Sequence, residues 1–187
     1  MSEEFNHSRY VNCIQHERKL KNAEMLTGDH SPIPDEEKAT FSKLKYYRPK
    51  VSFRKDATFK RYDQATRFLM KTTTDRLPEY SIYGVVTFRH KGKDITLNVY
   101  QNIELVKKPG YEKHLFIPFN DLTNGVETYG GGRFIDITEN GADKMIIDFN
   151  KAYNPYCAYN HKYSCPIPPE ENGLKIKIKA GEKIWHK

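Results

Sequence analysis

Residues 81–102 read SIYGVVTFRHKGKDITLNVYQN, and this stretch decides the fold class. From Ser81 to Arg89 the residues are mostly β-branched or aromatic. From Asp94 to Asn102, Ile95, Leu97 and Val99 share one face, the two-residue period of a strand with one buried side. Between the runs, His90-Lys91-Gly92-Lys93 has hairpin length and supplies a glycine for positive φ. The spacing predicts an antiparallel hairpin.

Working outward, Pro109-Gly110 marks a turn and His114 to Pro118 a short apolar strand. Arg133 to Thr138 and Lys144 to Phe149 are expected to form a second hairpin across Glu139-Asn140-Gly141, and Leu174 to Ala180 a final strand. Upstream, Val51 with Phe53, Thr58 to Tyr62 and Arg67 to Thr72 are weaker strand candidates. Residues 3–26 read as a helix with an irregular apolar stripe of Tyr10, Cys13, Ile14, Leu20 and Met25, stopped by Gly28. Ser31-Pro32-Ile33-Pro34 followed by three acids opens a second, short helix reaching about Leu44. The expected fold is mainly β (α+β): an antiparallel barrel or sandwich with N-terminal helices. Residues 1–28 form the N-terminal helix and 29–187 a single β-rich domain.

The chain has 187 residues, a net charge of +7 and 13% aromatic residues, enough rings to build a core despite modest hydrophobicity. Its basic residues are dispersed. Lys175, Lys177 and Lys179 alternate with Ile176 and Ile178, the wet side of a half-buried strand, and the basic run Lys43 to Lys50 carries no RNA-binding motif. No nucleic-acid partner is therefore assigned. No apolar run is long enough to span a membrane, and the first residues, Met1-Ser-Glu-Glu, are acidic where an export signal would be basic. With three cysteines, an odd number, the expectation is a cytoplasmic protein with free thiols. Self-association through the N-terminal helix is left open.

Two irregular segments carry the candidate chemistry. In Glu127-Thr-Tyr-Gly-Gly-Gly-Arg133, three glycines allow close backbone approach, and Arg133 offers a planar donor fork suited to a carboxylate or phosphate. The bland alternative pairs Arg133 with Glu127, Asp121 or Asp148. The second segment, Asp148 to Asn172, holds five aromatic rings and four prolines, too irregular for a helix and too proline-laden for an interior strand. Cys157, His161 and Cys165 are zinc-ligand types, but their spacing is not that of a ribbon or finger, so neither a metal nor a cofactor is assigned. A Cys–His pair drawn from Cys157 or Cys165 with His161 or His114 is the nucleophilic option. Two converging carboxylates among Asp121, Glu127, Asp136, Asp148 and Glu182 are the acid–base option.

The blocks Phe116-Ile-Pro-Phe-Asn-Asp121 through Arg133, Asp148-Phe-Asn-Lys-Ala-Tyr-Asn-Pro-Tyr-Cys157, and Cys165-Pro-Ile-Pro-Pro with Asn172 and Ala180-Gly-Glu182 resemble the domain of unknown function 1684 family. The resemblance covers the chain from about residue 29 and implies no activity, substrate or cofactor. It does imply that the two irregular segments belong to one site.

The expected function is binding of a small anionic or polar molecule in a pocket formed by loop 127–133 and segment 148–172. The residues assigned to it are Glu127, Tyr129, Gly131, Gly132, Arg133, Asp148, Asn150, Tyr153, Asn154, Cys157, Cys165 and Asn172, with Tyr156 and Tyr159 as further walls. The alternatives are a non-catalytic protein–protein interaction module, or a hydrolase using a carboxylate or Cys–His pair.

Overall fold

A computed structural model describes residues 5–185. Six antiparallel strands form one sheet: β1 (Arg54–Leu69), β2 (Glu79–His90), β3 (Lys93–Asn102), β4 (His114–Phe119), β5 (Arg133–Thr138) and β6 (Lys144–Asp148), in the order β5-β4-β3-β2-β1-β6. The β2–β3 hairpin forms as its alternation predicts, with Phe88 opposite Ile95 and Val86 opposite Leu97. The sheet curls into a half-barrel, which resolves the barrel-or-sandwich alternative toward one curved layer.

The curl has a local cause. Registers slip between Arg61 and Thr66 on β1 and between Ile82 and Gly84 on β2, so two bulges lie side by side across the central strands. A Cβ on Gly84 would stand 2.5 Å from Lys60 O and 2.8 Å from the Phe59 ring. Only glycine lets β1 press this closely onto β2.

Several expected elements differ. The two upstream candidates from Thr58 to Thr72 are largely one continuous strand, and Val51–Phe53 is a 3-10 turn leading into it. No hairpin forms across Glu139-Asn140-Gly141. Instead β5 pairs with β4 and β6 with β1, so the short link carries the chain from one edge of the curled sheet to the other. Leu174–Ala180 forms no strand: the chain bends at Lys175-Ile176 and joins no ladder, Asn120 and Leu122 bond it on one side, and Arg133 donates to its carbonyls.

The inner face holds the main core, including Val86, Phe88, Leu97, Val99, Leu115, Ile117, Phe119, Ile135, Ile147 and Phe149. Helix α1 (His7–Thr27) starts at Asn6, whose side chain accepts from Arg9 N, and ends at Gly28. Residues 3 and 4 of the expected helix lie outside the described residues. Only Ile14 and Met25 of its stripe are buried, and Leu20 is exposed. The helix is fastened by polar groups as well: Tyr10 Oη donates to Asp148, Arg18 to the carbonyls of Tyr47 and Asn150, and Lys21 to Glu182. Helix α2 is a single turn (Asp35–Lys38). Beyond it Phe41 and Leu44 reach the second core cluster, with Met25, Ile33 and Tyr159, from non-helical chain rather than from a longer helix.

Candidate functional site

Strand parity builds the site. On β4, Leu115, Ile117 and Phe119 point into the half-barrel, which sends His114 and Phe116 to the outer face. On β5, Ile135 and Ile137 pack toward the core, so Phe134 and Asp136 face outward beside them; Phe116 stands opposite Asp136 in register. A strand apolar on both faces needs a second cover, and the segment from Tyr153 to Pro166 supplies it. Tyr153 and Phe134 exchange backbone hydrogen bonds at 3.0 and 2.9 Å, Thr73 N donates to Cys165 O, and Ile167 N donates to Lys71 O.

Between cover and sheet lies a cleft of about 540 Å³, walled by Tyr80, Tyr111, Phe116, Phe134, Tyr153 and Tyr163. Asp136 is its polar centre. Tyr153 Oη donates to Asp136 Oδ2 at 2.7 Å, and His114 Nε2 lies 3.1 Å from Oδ1. A carboxylate can only accept, so His114 carries its proton on Nε2. Burial, then the neighbouring carboxylate, pushes the Tyr153 hydroxyl well above its ordinary range, keeping it a donor. At the other end Lys21 Nζ sits 4.7 Å from the centre of the Tyr153 ring.

Of the residues assigned from sequence, Tyr153 and Cys165 line this cleft, as does Tyr156. Arg133 does not. Sharing the parity of Ile135, it is fully buried; Nη2 donates to Asp121 Oδ2 at 2.6 Å and to Ile178 O at 2.9 Å, and Nη1 donates to Ala180 O and Glu182 O. Only Nε lacks an acceptor. The expected anion cradle is thus an internal clamp: one guanidinium donates to three alternate carbonyls, those of Ile178, Ala180 and Glu182, in a segment that is part of no strand. Gly132, at φ +91, lies where a Cβ would meet Pro168 at 2.5 Å and Asn120 at 2.7 Å, so it serves close packing of the two segments. Gly131 is exposed, and Glu127 is held by Tyr47 and Lys179.

The asparagines of segment 148–172 are structural fasteners. Asn150 bonds Lys50 N and O, Asn154 bonds Glu182 and Lys183 O, and Asn172 bonds Asn98 N, Asn98 O and Pro118 O. Asp148 accepts from Tyr10 and Asn150. Tyr159 is buried with its hydroxyl on Glu182, and Tyr129 meets Cys157 at 3.7 Å. His161 is exposed while both nearby thiols are buried, and among the described residues no histidine bonds either cysteine. Each candidate carboxylate has its own set of partners, and no two of them share a hydrogen bond among the described residues. The cleft groups missed from sequence include Lys21, Tyr80, Tyr111, Phe116, Phe134 and Tyr163, together with the pairing of His114 with Asp136; the signal for the β4 face was the doubly apolar run His114–Phe119.

A family profile described as protein of unknown function (DUF1684) matches residues 39–183. The chain belongs to this family. The chain is also similar to the solution NMR structure of an uncharacterized protein from gene locus rrnAC0354 of Haloarcula marismortui. The two are 30% identical, with a TM-score of 0.72, and the match covers 94% of this chain and 95% of that one. No curated protein matches. The family profile spans both faces of the cleft, β4–β5 and the cover, whereas all of α1, which contributes Lys21, precedes it.

Glu182 links the cover, the C-terminal segment and α1. It is 1% exposed and accepts from Tyr159, Asn154 and Lys21, the last at 3.1 Å. Burial pushes its carboxyl up, and Lys21 pulls it part-way back. A carboxyl raised on folding contributes stability that is complete below its unfolded value, about 4.3, and lost as pH rises through the folded value. The stability of the wild type relative to Glu182→Gln is therefore expected to fall as pH rises from about 4. Denaturation midpoints of both proteins across that range check this; parallel pH profiles would contradict it.

Proposed function

We propose that this DUF1684 protein binds a small polar molecule with an apolar or aromatic body in the cleft between β4–β5 and the cover. The supporting observation is Asp136. Two donors fix its carboxylate, yet it remains 45% exposed among aromatic rings and keeps acceptor capacity for a ligand donor. Lys21, with two ammonium protons beyond the one given to Glu182, would receive an acceptor or anionic group at the other end. Three free cysteines, with no described helix long and apolar enough to cross a membrane, support a reducing, cytoplasmic setting.

A second hollow of about 470 Å³ lies along α1 and is lined by residues of β5 and β6. Its Asp148 is held by Tyr10 and Asn150, its Lys151 by Glu17, and it lacks the ring of aromatic walls, so it is the weaker candidate.

A thermal-shift screen with small aromatic amines, amino acids and phenolic acids tests the proposal. Compounds that raise the wild-type melting temperature are expected to bind Asp136→Asn about ten- to a hundredfold more weakly, the cost of one hydrogen bond to a charged group. Equal affinity for both proteins would place the binding elsewhere.

A further inference from the structure

Tyr153 sets the distance between the two charged ends of the cleft. Its backbone is fixed by the exchange of hydrogen bonds with Phe134, and its ring stands edge-on to the Phe134 ring with centroids 5.8 Å apart. From that fixed ring the hydroxyl reaches Asp136 Oδ2 at 2.7 Å, while Lys21 Nζ lies 4.7 Å from the ring centre. With half a phenol between them, the carboxylate oxygen and the ammonium are separated by at most about 10 Å. The Lys21 ammonium bonds Glu182 and the Asp136 carboxylate bonds His114 and Tyr153; among the described residues they do not bond each other, and both side chains stay partly exposed.

A ligand that bridges the two ends spends about 2.8 Å on a charge-assisted hydrogen bond at each, which leaves at most about 4.5 Å between its own positive and negative groups. An ammonium and a carboxylate carried on one carbon fit that separation; the same groups at the ends of an extended chain of three or more carbons do not. The wall beside them is aromatic, with ring centroids 6.0 Å apart for Tyr80 and Phe116 and 4.8 Å apart for Phe116 and Phe134. Such a wall takes an apolar side chain, and a ring best of all, through edge-to-face contacts. Building on the cleft-binding proposal above, we propose that the ligand is a free α-amino acid with an aromatic side chain, its ammonium on Asp136, its carboxylate on Lys21 and its ring against Tyr80, Phe116 and Phe134. A zwitterion engages both charges at once, whereas an amine leaves Lys21 without a partner in the ligand and an acid does the same to Asp136.

Titration calorimetry on the full-length wild-type protein compares both enantiomers of phenylalanine with phenethylamine, which lacks the carboxylate, and 3-phenylpropanoate, which lacks the ammonium. One enantiomer is expected to bind about tenfold or more tightly than either truncated compound. In Lys21→Gln, which keeps a donor for Glu182 without the charge, the advantage over phenethylamine is expected to vanish while the advantage over 3-phenylpropanoate remains. The assignment is overturned if either truncated compound binds the wild type as tightly as phenylalanine, or if the advantage over phenethylamine persists in Lys21→Gln. It is also overturned, with the cleft reading intact, if neither enantiomer binds while another compound of the thermal-shift screen binds and weakens in Asp136→Asn. Should no compound depend on Asp136, the cleft reading fails and the amino-acid assignment with it.

Discussion

Arg133→Met is expected to lower stability by about 3–5 kcal/mol, a fall of roughly 10 °C in melting temperature for a chain of this size. The substitution leaves Asp121 buried and uncompensated, together with the carbonyls of Ile178, Ala180 and Glu182. The two contributions separate in a double-mutant cycle. Were the ion pair the whole effect, adding Asp121→Asn would restore most of the loss, because no charge would remain buried. Because the guanidinium also caps three carbonyls, the double variant is expected to recover less than half. Chemical denaturation of the four proteins checks this, and full recovery would reduce Arg133 to a simple partner of Asp121.

Asn172→Ala should cost about 3 kcal/mol by the same measurement, since it strands one buried donor and two carbonyls. Asn172 lies just beyond the cover, after Pro166, and reaches back to β3 and β4, so this single amide ties the chain that follows the cover to the sheet. Asn172→Asp is the sharper test. A carboxylate can still accept from Asn98 N but faces the carbonyls of Asn98 and Pro118 without a donor, so it should destabilise at least as much as alanine. A loss well under 1 kcal/mol in both variants would show that the cover is held by other contacts.

Much of this architecture is legible in the sequence, and the failures have physical reasons. The β2–β3 hairpin announces itself through alternation and a glycine-bearing turn. The link at Glu139-Asn140-Gly141 carries the same local signal, yet it crosses between the edges of a curled sheet, because curvature depends on bulges far away at Arg61–Thr66 and Ile82–Gly84. Leu174–Ala180 has strand alternation but forms no strand, since the guanidinium of a residue 45 and 47 positions away donates to the carbonyls of Ile178 and Ala180. Arg133 itself was readable from parity. It alternates in step with Ile135 and Ile137, which marks it as inward, whereas an adjacent run of glycines suggests an open loop. The reverse holds for Asp136, whose outward parity beside Phe134 places it against the cover, although only the tertiary fold brings His114 and Tyr153 to it.

The most direct test of the cleft is a map of amide chemical-shift changes with the strongest binder from the thermal-shift screen. The perturbed amides are expected to cluster at Tyr80, His114 to Phe116, Phe134 to Asp136, Tyr153 and Tyr163. Shifts confined to loop 121–132 or to the hollow beside α1, or no saturable shifts at all, would contradict it.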